Sequence, residues 1–192
     1  GAGECGGGRS GDGDVRARPT PAGVAEWPAV FGKRFDGSGA VTRGNASGIT
    51  AGGCALGLAS EAACEKNGWT PLAFVGEARR AGVDPTVMGL GPVPAAAKLE
   101  AATGRAARDY DLIELNEAFA AQVLACDRDL KLDHERLNVN GGAIALGHPI
   151  GATGARIATT MLHELHRRGG EHALATLCIS GGMGLAVAFD RT

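Results

Sequence analysis

The sequence predicts an α/β fold: a mixed, mainly parallel sheet with helices on its faces, ordered β-α-β-α-β-α-β-β from Pro71 onward. Three observations predict it. Strand-length apolar runs alternate with helical patterns along this stretch, as they do where crossover helices cover a sheet. Glycine is abundant, 32 of 192 residues, while aromatics make up 4%, which suits close Ala/Gly/Val packing better than an aromatic-rich sandwich. Finally, residues 138–154 (NVNGGAIALGHPIGATG) pass from an extended piece through a glycine-dense turn into a helical run with Ile157, Met161, Leu162 and Leu165 on one face.

Residues 1–27 are rich in Gly, Arg, Asp and Pro and show neither period, so they are expected to be disordered or non-native. Residues 28–69 read as strand-length pieces cut by glycines. Within them, GNASG at 44–48 is a turn by composition, Cys54 to Ala59 is a candidate buried strand, and Ser60 can cap a short helix that stops at Gly68. Residues 70–192 form the more complete unit. Leu72 to Ala78 reads as a strand, and MGLGPVP leads to a helix from near Pro94 to Gly104. Asp111 to Leu115 is a second strand. Asn116 is placed to cap a helix whose apolar face is Phe119, Val123, Cys126 and Leu130. The 138–154 block and its long helix follow, then strands at Leu174–Ile179 and Leu185–Phe189 joined by a glycine-rich connection.

Composition narrows the function classes. Net charge is −2 with both signs interspersed, which gives no nucleic-acid surface. No apolar run approaches the roughly 18 residues of a membrane span, and neither a secretory leader nor a lipid anchor is legible. Five cysteines without a CxxC pair argue for a reducing compartment, hence a cytoplasmic expectation. No metal site is expected. The His163–His166 run has its histidines three apart, whereas a zinc helix needs four, so it reads as a solvated face. Gly89-x-Gly91 lacks the third glycine of a dinucleotide fingerprint.

In parallel sheets, ligands bind beyond the carboxyl ends of strands. Asn116 and His148 follow strands and Cys178 ends one, so the three are expected to meet at one rim.

Three blocks in order, NEAF at 116–119, GHP at 147–149 and CIS at 178–180, resemble the C-terminal half of the thiolase family. GNASG at 44–48 and VMGLGPVPA at 87–95 extend the resemblance over about Pro28 to Phe189. It implies a thiolase-like C-terminal domain and acyl transfer between coenzyme A thioesters, of the acetyl-CoA C-acetyltransferase type. Short 3-ketoacyl-CoA such as acetoacetyl-CoA would be the substrates, no further cofactor would be needed, and the full-length family implies a homo-oligomer. By the same resemblance Cys178 is the acid/base cysteine, a role for which a thiol titrating near 8.5 needs a polar, positive neighbourhood. His148 activates the nucleophile and donates to a thioester oxygen, and Asn116 holds an oxyanion-hole water. Ser180 supplies a backbone N–H for a second oxyanion hole. Ser47 contacts the pantetheine arm, and Met88 and Phe119 line its tunnel.

Two departures stand out. The family's last motif commonly has Gly where Ser180 stands, a cost if that position needs positive φ. Nothing resembles the nucleophilic-cysteine block of the N-terminal half, since Cys5 in CGGGRS lacks a strand-to-helix context. The chain is therefore expected to be inactive alone. The competing expectation is a non-catalytic truncated product, or a CoA-binding half that needs a partner chain.

Overall fold

A computed structural model describes residues 20–31 and 39–191. Its elements are α1 (Pro21–Ala25), α2 (Glu61–Asn67), β1 (Ala73–Gly82), a 3-10 turn (Pro85–Leu90), α3 (Pro92–Thr103), a second 3-10 turn (Ala107–Asp109), β2 (Leu112–Leu115), α4 (Ala120–Leu130), α5 (Ala143–Leu146), α6 (Thr153–Arg168), β3 (His172–Ile179) and β4 (Met183–Arg191). The strands form one mixed sheet in the order β1-β4-β3-β2.

Period-2 alternation divides the core into two layers. On one face Ile113, Leu115, Leu174, Ala186 and Ala188 pack under α3 and α4, against Ala95, Leu99 and Cys126. On the other, Leu112, Ala173, Ala175 and Phe189 meet Ile157, Met161, Leu162 and Leu165 of α6. That α6 face is the one the spacing predicts, and each fully buried Leu or Ile on it stabilises by about 1.5–3 kcal/mol.

The α/β layering stands, but the parallel majority does not. Only β2–β3 is parallel, while β1–β4 and β4–β3 are antiparallel, because β4 returns through the tight turn after Ile179 instead of through a helix. The extended piece at 138 is not a full strand. It makes one parallel bridge, Leu137 to Ile113, with Ile113 N–H on Arg136 O and Asn138 N–H on Ile113 O, both at 2.9 Å. Asn138 then turns left-handed at φ 47°. Its side chain continues the ladder that its backbone leaves: Oδ1 accepts from Leu115 N–H and Nδ2 donates to Leu115 O, each at 2.9 Å. An amide has the donor–acceptor pair of a peptide, and Asn tolerates this conformation better than a β-branched residue.

Other expectations shift. Residues 51–60 carry no regular element and are exposed, so Cys54 to Ala59 is not a buried strand; the described sheet offers it no neighbour. Asn116 does not cap α4. Phe119 stands at that position, and the Ala120 N–H is satisfied by Asn45 O at 2.8 Å. The disorder expected for 1–27 lies mostly outside the described residues, but Pro21–Ala25 is a single helical turn whose N-cap, Thr20, accepts from Gly23 N–H. Ser60 caps α2 and Gly68 ends it, as the sequence indicates. Of the His163–His166 run, His163 is exposed but Glu164 is buried. Asn140, Arg168 and Arg167 bond its carboxylate and hold it at about 2.

Candidate active site

The parallel pairing of β2 and β3 puts both carboxyl ends on one rim. Asn116 N–H donates to Thr176 O at 2.9 Å, which fixes Asn116 beside the last turn of the β3 ladder, two residues before Cys178. The segment after Asn116 is then laced to the GNASG turn. Ala46 bridges Phe119, and Ala118 O accepts from Ser47 N–H at 3.0 Å and from the Ser47 hydroxyl at 3.2 Å. With its proton so used, Ser47 offers a lone pair to the cavity, a match for an amide N–H. The GHP loop joins the same assembly: His148 N–H donates to Gly48 O at 3.2 Å. Gly147 (φ 96°) lies so close to Thr50 that a Cβ would stand 2.5 Å from its Oγ1, which requires glycine twice over.

Between these segments lies a cavity of about 710 Å³ whose walls include Ser47, Met88, Phe119, His148, Cys178 and Ser180. Six of the seven residues singled out from the sequence therefore share it. The seventh, Asn116, sits one layer back, 1% exposed and not among the lining residues. Neither its Oδ1 nor its Nδ2 has a described hydrogen-bond partner. Leaving a buried amide unpaired costs about 1–3 kcal/mol, a cost that core packing alone does not explain. Phe119 is held edge-to-face against Phe31, centroids 6.1 Å apart. Ser180 needs no left-handed strain: the positive φ values fall on Gly181 and Gly182 instead.

The state of His148 follows from its partner. Nδ1 lies 2.7 Å from Thr153 Oγ1, and the Thr153 hydroxyl donates to Pro149 O at 3.0 Å. One hydroxyl has one proton, so Thr153 accepts at Nδ1 and the ring is the Nδ1–H tautomer, with the Nε2 lone pair left over. Burial, and then the Arg156 guanidinium, lower the His148 pKa, so the ring is neutral near pH 7. Thr153→Ala is expected to release this tautomer. In ¹⁵N spectra of the histidine ring, the wild type and Thr153→Ser should show one protonated Nδ1, and Thr153→Ala a mixture. Identical ring shifts in all three would refute the assignment. Burial also pushes the Cys178 thiol up, with its own backbone N–H pulling the other way. No cation of the described residues offsets it, so Cys178 rests as a thiol.

Beneath the rim lie residues that the motifs did not bring forward. Glu114 is 2% exposed, and its Oε2 is 3.5 Å from Arg156 Nη1. Desolvation outweighs Arg156 and raises its pKa to about 7, with Glu117 adding to the rise. The Glu117 carboxylate ties the rim together, accepting from Ile144 N–H at 3.1 Å and from Asn138 Nδ2 at 3.2 Å. A signal existed in DLIEL: a carboxylate in an otherwise apolar strand needs a partner.

Fold and rim together define an α/β domain with a histidine and a cysteine presented to one apolar cavity at the carboxyl ends of adjacent strands. Residues 69–191 match the family model "Thiolase, C-terminal domain", and the chain belongs to the thiolase family. Among curated relatives it is 48% identical over 177 residues to the mitochondrial 3-ketoacyl-CoA thiolase of Bos taurus, covering 92% of this chain and 44% of that protein. It is 50% identical over 173 residues to the acetyl-CoA acetyltransferase of Escherichia coli (strain K12), covering 90% and 44%. The crystal structure of human mitochondrial 3-ketoacyl-CoA thiolase superposes with a TM-score of 0.83 at 43% identity, over 94% of this chain and 45% of that one. The chain thus spans less than half the length of the relatives it matches. No described helix is long and apolar enough to cross a membrane, and the described residues hold no cluster of metal-ligating side chains.

Proposed function

We propose that this chain carries the proton-transfer and oxyanion half of a thiolase active site, acting on short 3-ketoacyl-CoA such as acetoacetyl-CoA in the manner of an acetyl-CoA C-acetyltransferase. The observation that supports this most is the meeting of Cys178, His148, Ser180 and Ser47 on one cavity with the unpaired Asn116 amide behind it. Relatives named for acetyl-CoA acetyltransferase and 3-ketoacyl-CoA thiolase activity support the substrate class.

In this reading the neutral His148 takes the proton of an attacking thiol at Nε2, and thereafter presents Nε2–H to the thioester oxygen. Cys178, resting as a thiol, is ready as the acid. It becomes the base for the α-carbon proton once it has lost its own. Asn116, behind the cavity wall, holds a water that meets one developing oxyanion and the Ser180 N–H meets the other, each such donor worth roughly 2.7–4 kcal/mol of barrier. Acyl transfer in two steps also needs a separate attacking thiol, and Cys178 is the one cysteine among the described residues lining the cavity. The chain alone is therefore expected to show no measurable CoA-dependent cleavage of acetoacetyl-CoA. Turnover in the purified chain that disappears in Cys178→Ala would show that a second thiol is supplied within it. The cytoplasmic placement rests on cysteine usage.

A further inference from the structure

We infer that Arg43 is the anion-binding end of this cavity and selects coenzyme A thioesters by a phosphate group, a role that rests on the reading of the cavity as a CoA-thioester site. The walls are largely apolar, with Val30, Phe31, Met88, Phe119 and Ile150 among them, and the described lining residues include no Asp or Glu. Among these described residues the titratable side chains are Arg43, His148 and Cys178. The last two are neutral near pH 7 by the arguments above, which leaves Arg43 as the permanent charge.

Position orders these groups. Cys178 is buried, His148 half-buried and Arg43 exposed, so the neutral reactive groups lie inside and the cation at the solvent end. The Arg43 backbone is held by a tight turn: Thr42 N–H donates to Asn45 Oδ1 at 2.7 Å, Gly44 N–H to Thr42 Oγ1 at 3.1 Å, and Asn45 Nδ2 to Ala40 O at 2.9 Å. Its guanidinium has no carboxylate partner among the described residues. A fixed base with an uncommitted planar fork matches a phosphate well.

A CoA thioester has the complementary layout. Its reactive end is an uncharged thioester, its arm carries neutral amides, and its phosphates all lie at the far end. Pantetheine keeps the arm and lacks the phosphates. The cavity as a whole therefore fits the arm, and among the described lining residues Arg43 distinguishes the two molecules by charge.

The test is equilibrium binding of CoA, 3′-dephospho-CoA and pantetheine to the wild-type chain, Arg43→Ala and Arg43→Lys, with circular dichroism confirming the fold of these exposed-site variants. Arg43→Ala is expected to weaken CoA binding roughly fivefold or more, leave pantetheine unchanged and lose the salt sensitivity of CoA binding, with Arg43→Lys in between. If Arg43→Ala weakens CoA but not dephospho-CoA, the contact is to the 3′-phosphate; if it weakens both, to the diphosphate. Equal CoA affinity in wild type and Arg43→Ala, with pantetheine still bound by both, would overturn the role of Arg43 and leave the cavity reading intact. A wild type that binds neither CoA nor pantetheine would overturn both.

Discussion

Gly184→Ala is expected to destabilise the chain severely and shift its urea midpoint far below that of the wild type. Gly184 lies in β4 between Ala81 of β1 and Cys178 of β3. A Cβ there would stand 1.9 Å from Gly91 O and 2.0 Å from Gly91 C. The crossing is reciprocal, because a Cβ on Gly91 would stand 2.3 Å from Met183 O. Both obstacles are backbone, so no rotamer relieves them, and separating the segments would pull the start of α3 off the sheet. Overpacking ordinarily costs 1–3 kcal/mol. Here the cost should be on the order of 4 kcal/mol or more, against a total stability of about 5–15 kcal/mol for a domain. Gly154→Ala is the contrast: it lies in α6 with open space around its would-be Cβ, and should be neutral or stabilise by up to about 1 kcal/mol. Urea melts followed by far-UV circular dichroism decide it. A Gly184→Ala midpoint close to that of the wild type would mean that the two backbones are not in contact.

The second large effect is a loss of stability as pH rises through the range set by Glu114. Its carboxyl titrates near 4.5 when unfolded and at about 7 in the fold, so between those values the folded state binds the extra proton. Stability is full below about 4.5, falls as pH rises, and levels off above about 7. The gap corresponds to an effect on the order of 3 kcal/mol. His148 works against it in part: its lowered pKa means that stability is lost as pH falls through about 6.5. The difference between wild type and Glu114→Gln isolates the carboxyl, since Gln imitates its protonated form. The wild type should lose stability relative to Glu114→Gln from pH 4.5 to 7. Parallel stability curves across that range would show that Glu114 titrates normally. Below about 4.5, protonation of Glu164, held at about 2 by Asn140, Arg168 and Arg167, should weaken both proteins alike.

Much of this protein is legible in its sequence. The faces of α6 and α4, the caps of α2 and the approximate positions of all four strands follow from local period and from Gly and Ser placement. Local chemistry suffices there, because a helix or strand that buries one face must repeat its apolar residues at its own spacing. The motif residues Ser47, Met88, Phe119, His148, Cys178 and Ser180 share one cavity; the parallel pairing of β2 and β3 brings Phe119, Cys178 and Ser180 to one rim, and backbone hydrogen bonds join the Ser47 and His148 loops to it.

Only the tertiary structure decided the rest. Sheet direction depended on how β4 returns, and the periodicity of a strand does not encode the sense of its neighbour. Asn138 looks like a strand residue in sequence, but its side chain replaces a peptide unit once the backbone turns left-handed. The Nδ1–H tautomer of His148 hangs on a hydroxyl five residues away, itself committed to Pro149 O. The Glu114–Arg156 pair arises where β2 passes α6, and its unequal balance comes from burial, which no residue carries in its own identity. Sequence determined which groups are present and on which elements they ride. Their charges, tautomers and free lone pairs were set by what the fold excluded from water and by which hydrogen bonds were already taken.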